Sequence, residues 1–141
     1  MIILDTNVVS EGFRARPNVA VRQWLDAQAP DDLYLCAPVI AEIRYGIARL
    51  NAGEQQERLR AIADKFEDDL YKGRILPFDT SAASVYGRIA AERRRKGKPV
   101  DPMDGMIAAI AIARGAAVAT RDRYGFSDLD LTIIDPFQFQ R

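Results

Sequence analysis

Four acidic residues are the candidates for chemistry, because each adjoins a predicted strand or helix that aims it at a shared edge. Asp5 directly follows an apolar run at the amino terminus, and Asp122 comes two residues after the fourth predicted strand. Asp104 lies in the first turn of a predicted helix, and Glu42 borders the apolar stripe of another. In open parallel sheets, sites form beyond the carboxyl ends of the strands. The pattern therefore predicts one crevice that receives four carboxylates.

Asp5, Asp122 and Asp104 also have an ordinary structural interpretation, since aspartate often caps turns and helices. Asp101 suits the N-cap of the helix that carries Asp104, and Pro102 suits its first position. An acid in the first turn gains about 0.3–1 kcal/mol from the helix dipole. The same positive helix end is expected to keep Asp104 ionised, as a metal ligand requires. We therefore assign Asp101 to capping and Asp104 to the site.

The structural alternative for Glu42 is a partly buried ion pair with Arg44 or Arg49. At 100° per residue, Glu42 falls beside the stripe of the helix that carries it and can reach the edge of the sheet. That apolar stripe consists of Val39, Ile43, Ile47 and Leu50.

The absence of histidine narrows the possible chemistry. It excludes Ser-His-Asp and Cys-His catalysis and most zinc sites. Four carboxylates in one crevice cannot all stay ionised without a cation, because like charges raise each other's pKa. A hard divalent cation with oxygen ligands resolves the repulsion, and Mg²⁺ or Mn²⁺ fits that description.

Composition indicates one compact domain over 1–141. The chain has 141 residues, of which 48% are hydrophobic, and 20 basic residues balance 20 acidic ones. A net charge of zero argues against nonspecific coating of nucleic acid, although it leaves room for a local basic groove. The single cysteine excludes an internal disulfide, and no apolar run is long enough to span a bilayer. We expect a cytoplasmic protein that does not engage a membrane.

Strand and helix patterns alternate along the chain, which indicates an α/β fold with a mostly parallel sheet and helices on both faces. Apolar runs predict five strands, at 1–4, 33–37, 74–78, 117–120 and 131–134. Helical periodicity and capping signals predict five helices, at 17–28, 38–50, 54–71, 80–96 and 102–114.

Four segments that contain these acids resemble the PIN-domain nucleases, and specifically the VapC/FitB-like toxin branch of type II toxin–antitoxin pairs. The resemblance runs in order along nearly the whole chain. The segments are Ile-Leu-Asp-Thr-Asn at 3–7, Ala-Glu-Ile-Arg-Tyr-Gly at 41–46, Asp-Gly-Met-Ile-Ala-Ala at 104–109 and Thr-Arg-Asp at 120–122.

The resemblance implies a three-layer PIN sandwich around a five-stranded sheet. It implies an endoribonuclease that depends on Mg²⁺ or Mn²⁺ and acts as a toxin. It also implies a cognate antitoxin partner, a homodimer, and larger toxin–antitoxin assemblies on operator DNA.

The resemblance also carries over site residues. The four acids match the family's acidic quartet, as catalytic residues and metal ligands. Thr6, Asn7 and Thr120 match positions whose polar groups support it. Many relatives place Asn at position 122 and an acid three residues later, where this chain has Gly125. That departure leaves a second metal in question.

A cationic run at the end of the fourth long helix has two interpretations. Cations favour a helix C-terminus and are usually solvated there. Alternatively, the run forms a phosphate track beside the active site and binds RNA. Its members are Arg93, Arg94, Arg95, Lys96 and Lys98.

Other functions fit the residues less well. A phosphoacceptor receiver domain usually has an acid pair after the first strand, but Thr6 follows Asp5 here, and no lysine follows the last strand. A haloacid-dehalogenase-like phosphatase needs a second aspartate where Asn7 stands. A non-catalytic PIN-fold module that binds RNA or a partner stays the main alternative.

Overall fold

A five-stranded parallel sheet organises the chain, and the computed structural model describes all residues, 1–141. Every neighbouring pair of strands is parallel, in the order β3-β2-β1-β4-β5. The predicted five-stranded sheet is confirmed. The strands are β1 (Ile2–Leu4), β2 (Leu33–Cys36), β3 (Ile75–Leu76), β4 (Ala117–Ala119) and β5 (Ile133–Ile134).

Both faces of the sheet are covered. Successive residues of a strand point to opposite faces, so two adjacent buried residues require cover on both sides. Each of the three central strands has such a pair, with at most 1% of either residue exposed. The predicted three-layer α/β architecture follows from this burial. The pairs are Ile3 and Leu4, Leu35 and Cys36, and Val118 and Ala119.

Six α-helices flank the sheet, and the five predicted ones are all present. The additional helix is a single turn directly after β1, followed by a 3-10 turn at Ser10–Phe13, and both are too short to show a helical period. None of the helices has the length and apolar character needed to cross a membrane. The helices are α1 (Thr6–Val9), α2 (Val19–Ala27), α3 (Ala37–Ala48), α4 (Glu54–Lys65), α5 (Thr80–Arg95) and α6 (Pro102–Arg114).

Local capping sets several helix ends. The side chain of Asn18 accepts a hydrogen bond from Val21 N at the start of α2, and Asp79 accepts one from Ala82 N at the start of α5. Gly115 ends α6 in the left-handed conformation, with φ of 66°, which costs glycine little. These signals can be read locally, which is why the sequence placed the helices well.

The predicted helix 54–71 is not continuous. The α-helix ends at Lys65, and Phe66–Leu70 forms a wider π-helical turn. Phe66 turns inward there, and its ring lies 5.1 Å from that of Phe13 and 5.8 Å from that of Tyr71. π-Turns inside helices re-aim a side chain in this way. The third and fifth strands are also shorter than predicted, at two residues each.

Candidate active site

Asp5 lies at the carboxyl end of β1, and only 4% of the residue is exposed. Its backbone N–H donates to Ala119 O of β4 at 2.9 Å, which joins the two strands at the point where they end. Oδ1 accepts from Thr6 N at 2.8 Å and so caps α1. Oδ2 accepts from Thr120 Oγ1 at 2.7 Å and from Asn7 Nδ2 at 3.1 Å. Asp5 therefore caps a helix and also faces the crevice.

Thr120 and Asn7 form a hydrogen-bonded link between the ends of β1 and β4. Asn7 Nδ2 donates to Thr120 Oγ1 at 2.9 Å, and the same oxygen accepts from Asp122 N at 3.0 Å. Arg121 N donates to Asn7 Oδ1 at 3.3 Å. The link holds Asp5 and the segment that carries Asp122 in one arrangement.

Glu42 projects from α3 toward the same edge. Thr6 Oγ1 donates to Glu42 Oε1 at 2.9 Å, and Oε2 has no donor from the protein. The ion-pair alternative is not what the structure shows. Arg44 instead pairs with Asp64 and Glu67, and the Arg49 guanidinium lies over the Tyr45 ring.

Asp104 is the third residue of α6, as the sequence predicted. Asp101 Oδ1 accepts from Met103 N at 3.0 Å and from Asp104 N at 3.2 Å, so Asp101 is the cap. The next residue, Gly105, allows α5 to pack closely, because a Cβ there would lie 2.8 Å from Tyr86 Cε2. That close packing holds the first turn of α6, which carries Asp104, against α5.

Asp122 and Asp104 meet over the bare backbone of Gly125. Gly125 N donates to Asp122 Oδ1 at 3.0 Å. A Cβ at position 125 would lie 2.8 Å from Asp122 Oδ2 and 2.9 Å from Asp104 Oδ2. Sequence reasoning treated Gly125 only as a missing acid. The structure shows that a side chain there would displace one or both carboxylates.

The neighbouring carboxylates disfavour the charged form of Asp104. Burial is the largest cause that raises the pKa of Asp104 to about 7, and the charges of Asp5, Asp101, Asp122 and Glu42 add to it. In the protein without a cation, these causes therefore oppose the predicted effect of the helix end, which favours the ionised form of Asp104. Burial and like charges outweigh the helix dipole there.

Burial also raises the pKa of Asp5 and of Glu42. For Asp5, hydrogen bonds from Thr120 and Thr6 oppose the shift, and the charge of Asp122 adds to it. For Glu42, the hydrogen bond from Thr6 opposes the shift, and the charge of Asp5 adds to it. The polar neighbours predicted to support the acids are thus the groups that stabilise their ionised forms.

The chemistry of the donor set fits a hard divalent cation. None of the four acids takes part in a salt bridge, so no lysine or arginine offsets their charge. Every candidate ligand is an oxygen, which Mg²⁺ and Mn²⁺ prefer. No three acidic side chains are arranged as ligands of a common ion. Mg²⁺ is usually held by one or two carboxylates and keeps several waters, so it does not require three side-chain ligands.

The cationic run divides into a buried and an exposed part. Arg93 is 2% exposed and donates to backbone carbonyls only, so it has no surface for a phosphate. The predicted phosphate track is wrong for Arg93. Lys98 Nζ pairs with Asp128 Oδ2 at 3.1 Å, which raises the cost of using it elsewhere. Three members are exposed and have no acidic partner: Arg94, Arg95 and Lys96.

Comparison with known proteins gives a consistent result along the chain. The family model described as the PIN domain matches residues 2–131. The VapC ribonuclease Y4jK of Sinorhizobium fredii is 42% identical, with 98% of this chain and 99% of the relative covered. Toxin FitB of Neisseria gonorrhoeae is 40% identical, with 97% of this chain and 99% of the relative covered.

The fold has a solved counterpart of nearly the same extent. The structure of FitAB bound to the IR36 DNA fragment contains a chain that superposes with a TM-score of 0.91 at 39% identity. The match covers 100% of this chain and 99% of that one.

Proposed function

The chain belongs to the PIN-domain family, and on that premise we propose that it is the ribonuclease toxin of a toxin–antitoxin pair and uses Mg²⁺ or Mn²⁺. Its relatives include a VapC ribonuclease and the FitB toxin. The proposed metal dependence is supported by the charge of the site. Four carboxylates share the edge of the sheet without a cationic side chain, and the pKa of Asp104 is raised to about 7.

A bound Mg²⁺ or Mn²⁺ supplies positive charge at the attacked phosphate and lowers the pKa of the attacking water. Asp5 and Asp104 are the best candidates for direct ligands, because Asp5 is the carboxylate whose charge raises the pKa of Asp104 most. Thr120 and Asn7 hold Asp5 in place through hydrogen bonds of 2.7 and 3.1 Å. They orient the carboxylate and favour its ionised form.

Glu42 is suited to accept a proton from water or to bind the ion through one. Thr6 holds only Oε1, which leaves Oε2 free to act as acceptor. Burial raises the pKa of the carboxyl, which makes it a stronger base than an exposed glutamate. With no histidine in the chain, a carboxylate is the group best placed to accept that proton.

The partners follow from the relatives. A FitAB complex bound to DNA has this fold, so the partner is an antitoxin, and the pair assembles on operator DNA. An apolar groove of about 200 Å³ lies beside Glu42, and a side chain of the antitoxin entering it would block access to that carboxylate. Its apolar walls include Phe13, Ile43, Ile47 and Leu59. A homodimer and a cytoplasmic location, where RNA is available, belong to the same proposal.

The test is cleavage of purified cellular RNA by the free toxin with Mg²⁺ or Mn²⁺ present. Asp5→Asn and Asp104→Asn should each lower the rate more than about 100-fold, since changes to groups around a metal ligand already cost 10–100-fold. Asp26→Asn, an exposed acid on α2, is the matched control and should cleave like wild type.

Two outcomes would contradict the proposal. Wild-type rates in both Asp5→Asn and Asp104→Asn would exclude the carboxylate site. RNA binding without cleavage at any concentration of Mg²⁺ or Mn²⁺ would favour the non-catalytic RNA-binding module instead.

A further inference from the structure

Arg93 is the largest fully buried side chain of the protein, and it has no acidic partner. It lies in the last turn of α5, where the negative end of the helix dipole favours a cation. Burying an unpaired guanidinium is costly unless its N–H groups are satisfied. The partners of its N–H groups therefore indicate what this side chain does in the fold.

The hydrogen bonds of Arg93 join two loops that lead to the active-site acids. Its Nε donates to Lys98 O at 2.7 Å, in the loop that runs into the Asp101 cap of α6. Its Nη1 donates to Ser127 O at 2.9 Å and to Gly125 O at 3.3 Å, in the loop after β4. One planar side chain therefore spans the segment before Asp104 and the segment after Asp122.

Gly125 connects Arg93 to the carboxylates of Asp122 and Asp104. The peptide group on one side of Gly125 places its carbonyl on Arg93, and Gly125 N donates to Asp122 Oδ1 at 3.0 Å. Position 125 also approaches Asp104 so closely that a Cβ would lie 2.9 Å from its Oδ2. A shift of this loop would therefore change how Asp122 and Asp104 face each other.

We propose that Arg93 is a positioning residue, which clamps the loop at 125–127 to Lys98 and thereby sets the arrangement of Asp122 and Asp104. The rigid fork of a guanidinium can reach carbonyls on two loops at once, whereas a lysine ammonium is a point donor on a flexible stem. The inference rests on the proposed ribonuclease function for its kinetic consequence only.

The first test is independent of metal and of RNA. Amide hydrogen exchange is measured by NMR in wild type, in Arg93→Met and in Arg94→Met, an exposed neighbour that serves as the matched control. In Arg93→Met, the Gly125 amide should lose protection while the Ile89 amide in the core of α5 keeps it. Equal loss at both positions, or a Gly125 amide already unprotected in wild type, overturns the clamp.

The second test separates positioning from RNA binding and from stability. Arg93→Met should lower kcat by about 10- to 100-fold, as expected for groups that orient metal ligands, and should leave KM unchanged. Mn²⁺ affinity, measured by calorimetry without RNA, should fall by a similar factor. A variant with a lower Tm but wild-type kcat and Mn²⁺ affinity would make Arg93 a stability residue only. A raised KM at unchanged kcat would make it an RNA contact.

Arg93→Lys covers the case in which Arg93→Met does not fold. It keeps the charge but loses the planar fork that holds the carbonyls in fixed directions, so it should show the same changes in smaller degree. Wild-type exchange at Gly125 and wild-type Mn²⁺ affinity in Arg93→Lys would overturn the requirement for a fork. If wild type fails to cleave RNA, the proposed function fails, and the exchange experiment still decides the role of Arg93.

Discussion

Two groups of acidic residues lie on opposite sides of α3, and they differ in whether a basic side chain pairs with them. On one side, Glu42 joins the carboxylates at the edge of the sheet, where no lysine or arginine pairs with them. Two residues later, on nearly the opposite side of the helix, Arg44 bonds Asp64 at 2.8 Å and also bonds Glu67. One helix thus separates acids that lack a counter-charge from acids that have one.

Acids that are paired with a cation contribute to stability, whereas crowded acids without one oppose it. The Arg44 cluster is partly exposed, and ion pairs of that kind contribute about 0–1 kcal/mol. Burial removes hydration from Asp104 and the other site carboxylates repel its charge, which is why its pKa rises to about 7. Their arrangement is unfavourable for the protein alone and becomes favourable when a cation joins it.

Among the residues that support the site acids, Thr120 should show the largest effect, because its hydroxyl donates to Asp5 and accepts from Asn7 and from Asp122 N. Thr120→Val keeps the shape of this fully buried residue but removes the donor to Asp5 Oδ2. Cleavage should fall about 10- to 100-fold, measured with Mg²⁺ at saturating RNA. Thr132→Val, at an exposed threonine, is the control. Equal cleavage rates in Thr120→Val and Thr132→Val would show that the hydrogen bond from Thr120 to Asp5 is not needed for activity.

A substitution at Asp104 should raise the stability of the protein while it lowers activity. Asp104→Asn removes a crowded charge, so in EDTA the free energy of unfolding should rise by about 1–2 kcal/mol, after discounting for partial exposure. Folding raises the pKa of this carboxyl from 3.8 to about 7, so the folded chain holds its proton longer and wild-type stability falls as pH rises between those values. The gain should therefore be larger at pH 8 than at pH 5.

Denaturant unfolding in EDTA measures this gain, and a lower unfolding free energy for Asp104→Asn would contradict charge crowding. Adding Mg²⁺ should raise the Tm of wild type more than that of the variant, because a cation that binds the folded state stabilises it.

The compensated cluster should respond in the reverse sense and by less. Glu67→Gln removes a partner of Arg44 and should lower the free energy of unfolding by at most about 1 kcal/mol. Cleavage should not change, because this cluster lies away from the site carboxylates. Calorimetric Tm and the cleavage rate give the two readouts. A lower cleavage rate at a temperature where Glu67→Gln is still folded would contradict the prediction, because the Arg44 cluster would then also affect the site.

The smallest effect is expected at the exposed cations beyond Arg93. Replacing Arg94, Arg95 and Lys96 by alanine should leave kcat unchanged at saturating RNA. If they bind phosphates of single-stranded RNA, the slope of log affinity against log salt should fall by about 0.7 for each phosphate that the variant no longer neutralises. Binding measured across a salt series checks this. An unchanged slope would assign all three to a solvated helix end.

Much of the fold was determined by local patterns that the sequence displays. Continuous apolar runs predicted the buried strands, and caps such as Asp79, Asp101 and Gly115 marked helix ends, because these signals depend on neighbours a few residues away. The four acids were found in the same way, since each lies next to the end of a strand or on a helix border. The short α1 and the π-turn after Lys65 were missed because neither has a period of its own.

The contacts between residues far apart in the sequence could be read only from the three-dimensional structure. Arg93 looks like its exposed neighbours in sequence, yet its guanidinium reaches carbonyls 32 and 34 residues away. Gly125 stands in the sequence where many relatives have an acid. In the structure, the absence of a side chain there leaves room for the carboxylates of Asp122 and Asp104. The pKa of Asp104 depends on charges from three other elements of the fold. Sequence places groups along the chain by local rules, whereas burial and charge repulsion arise from segments brought together in space, which no local pattern records.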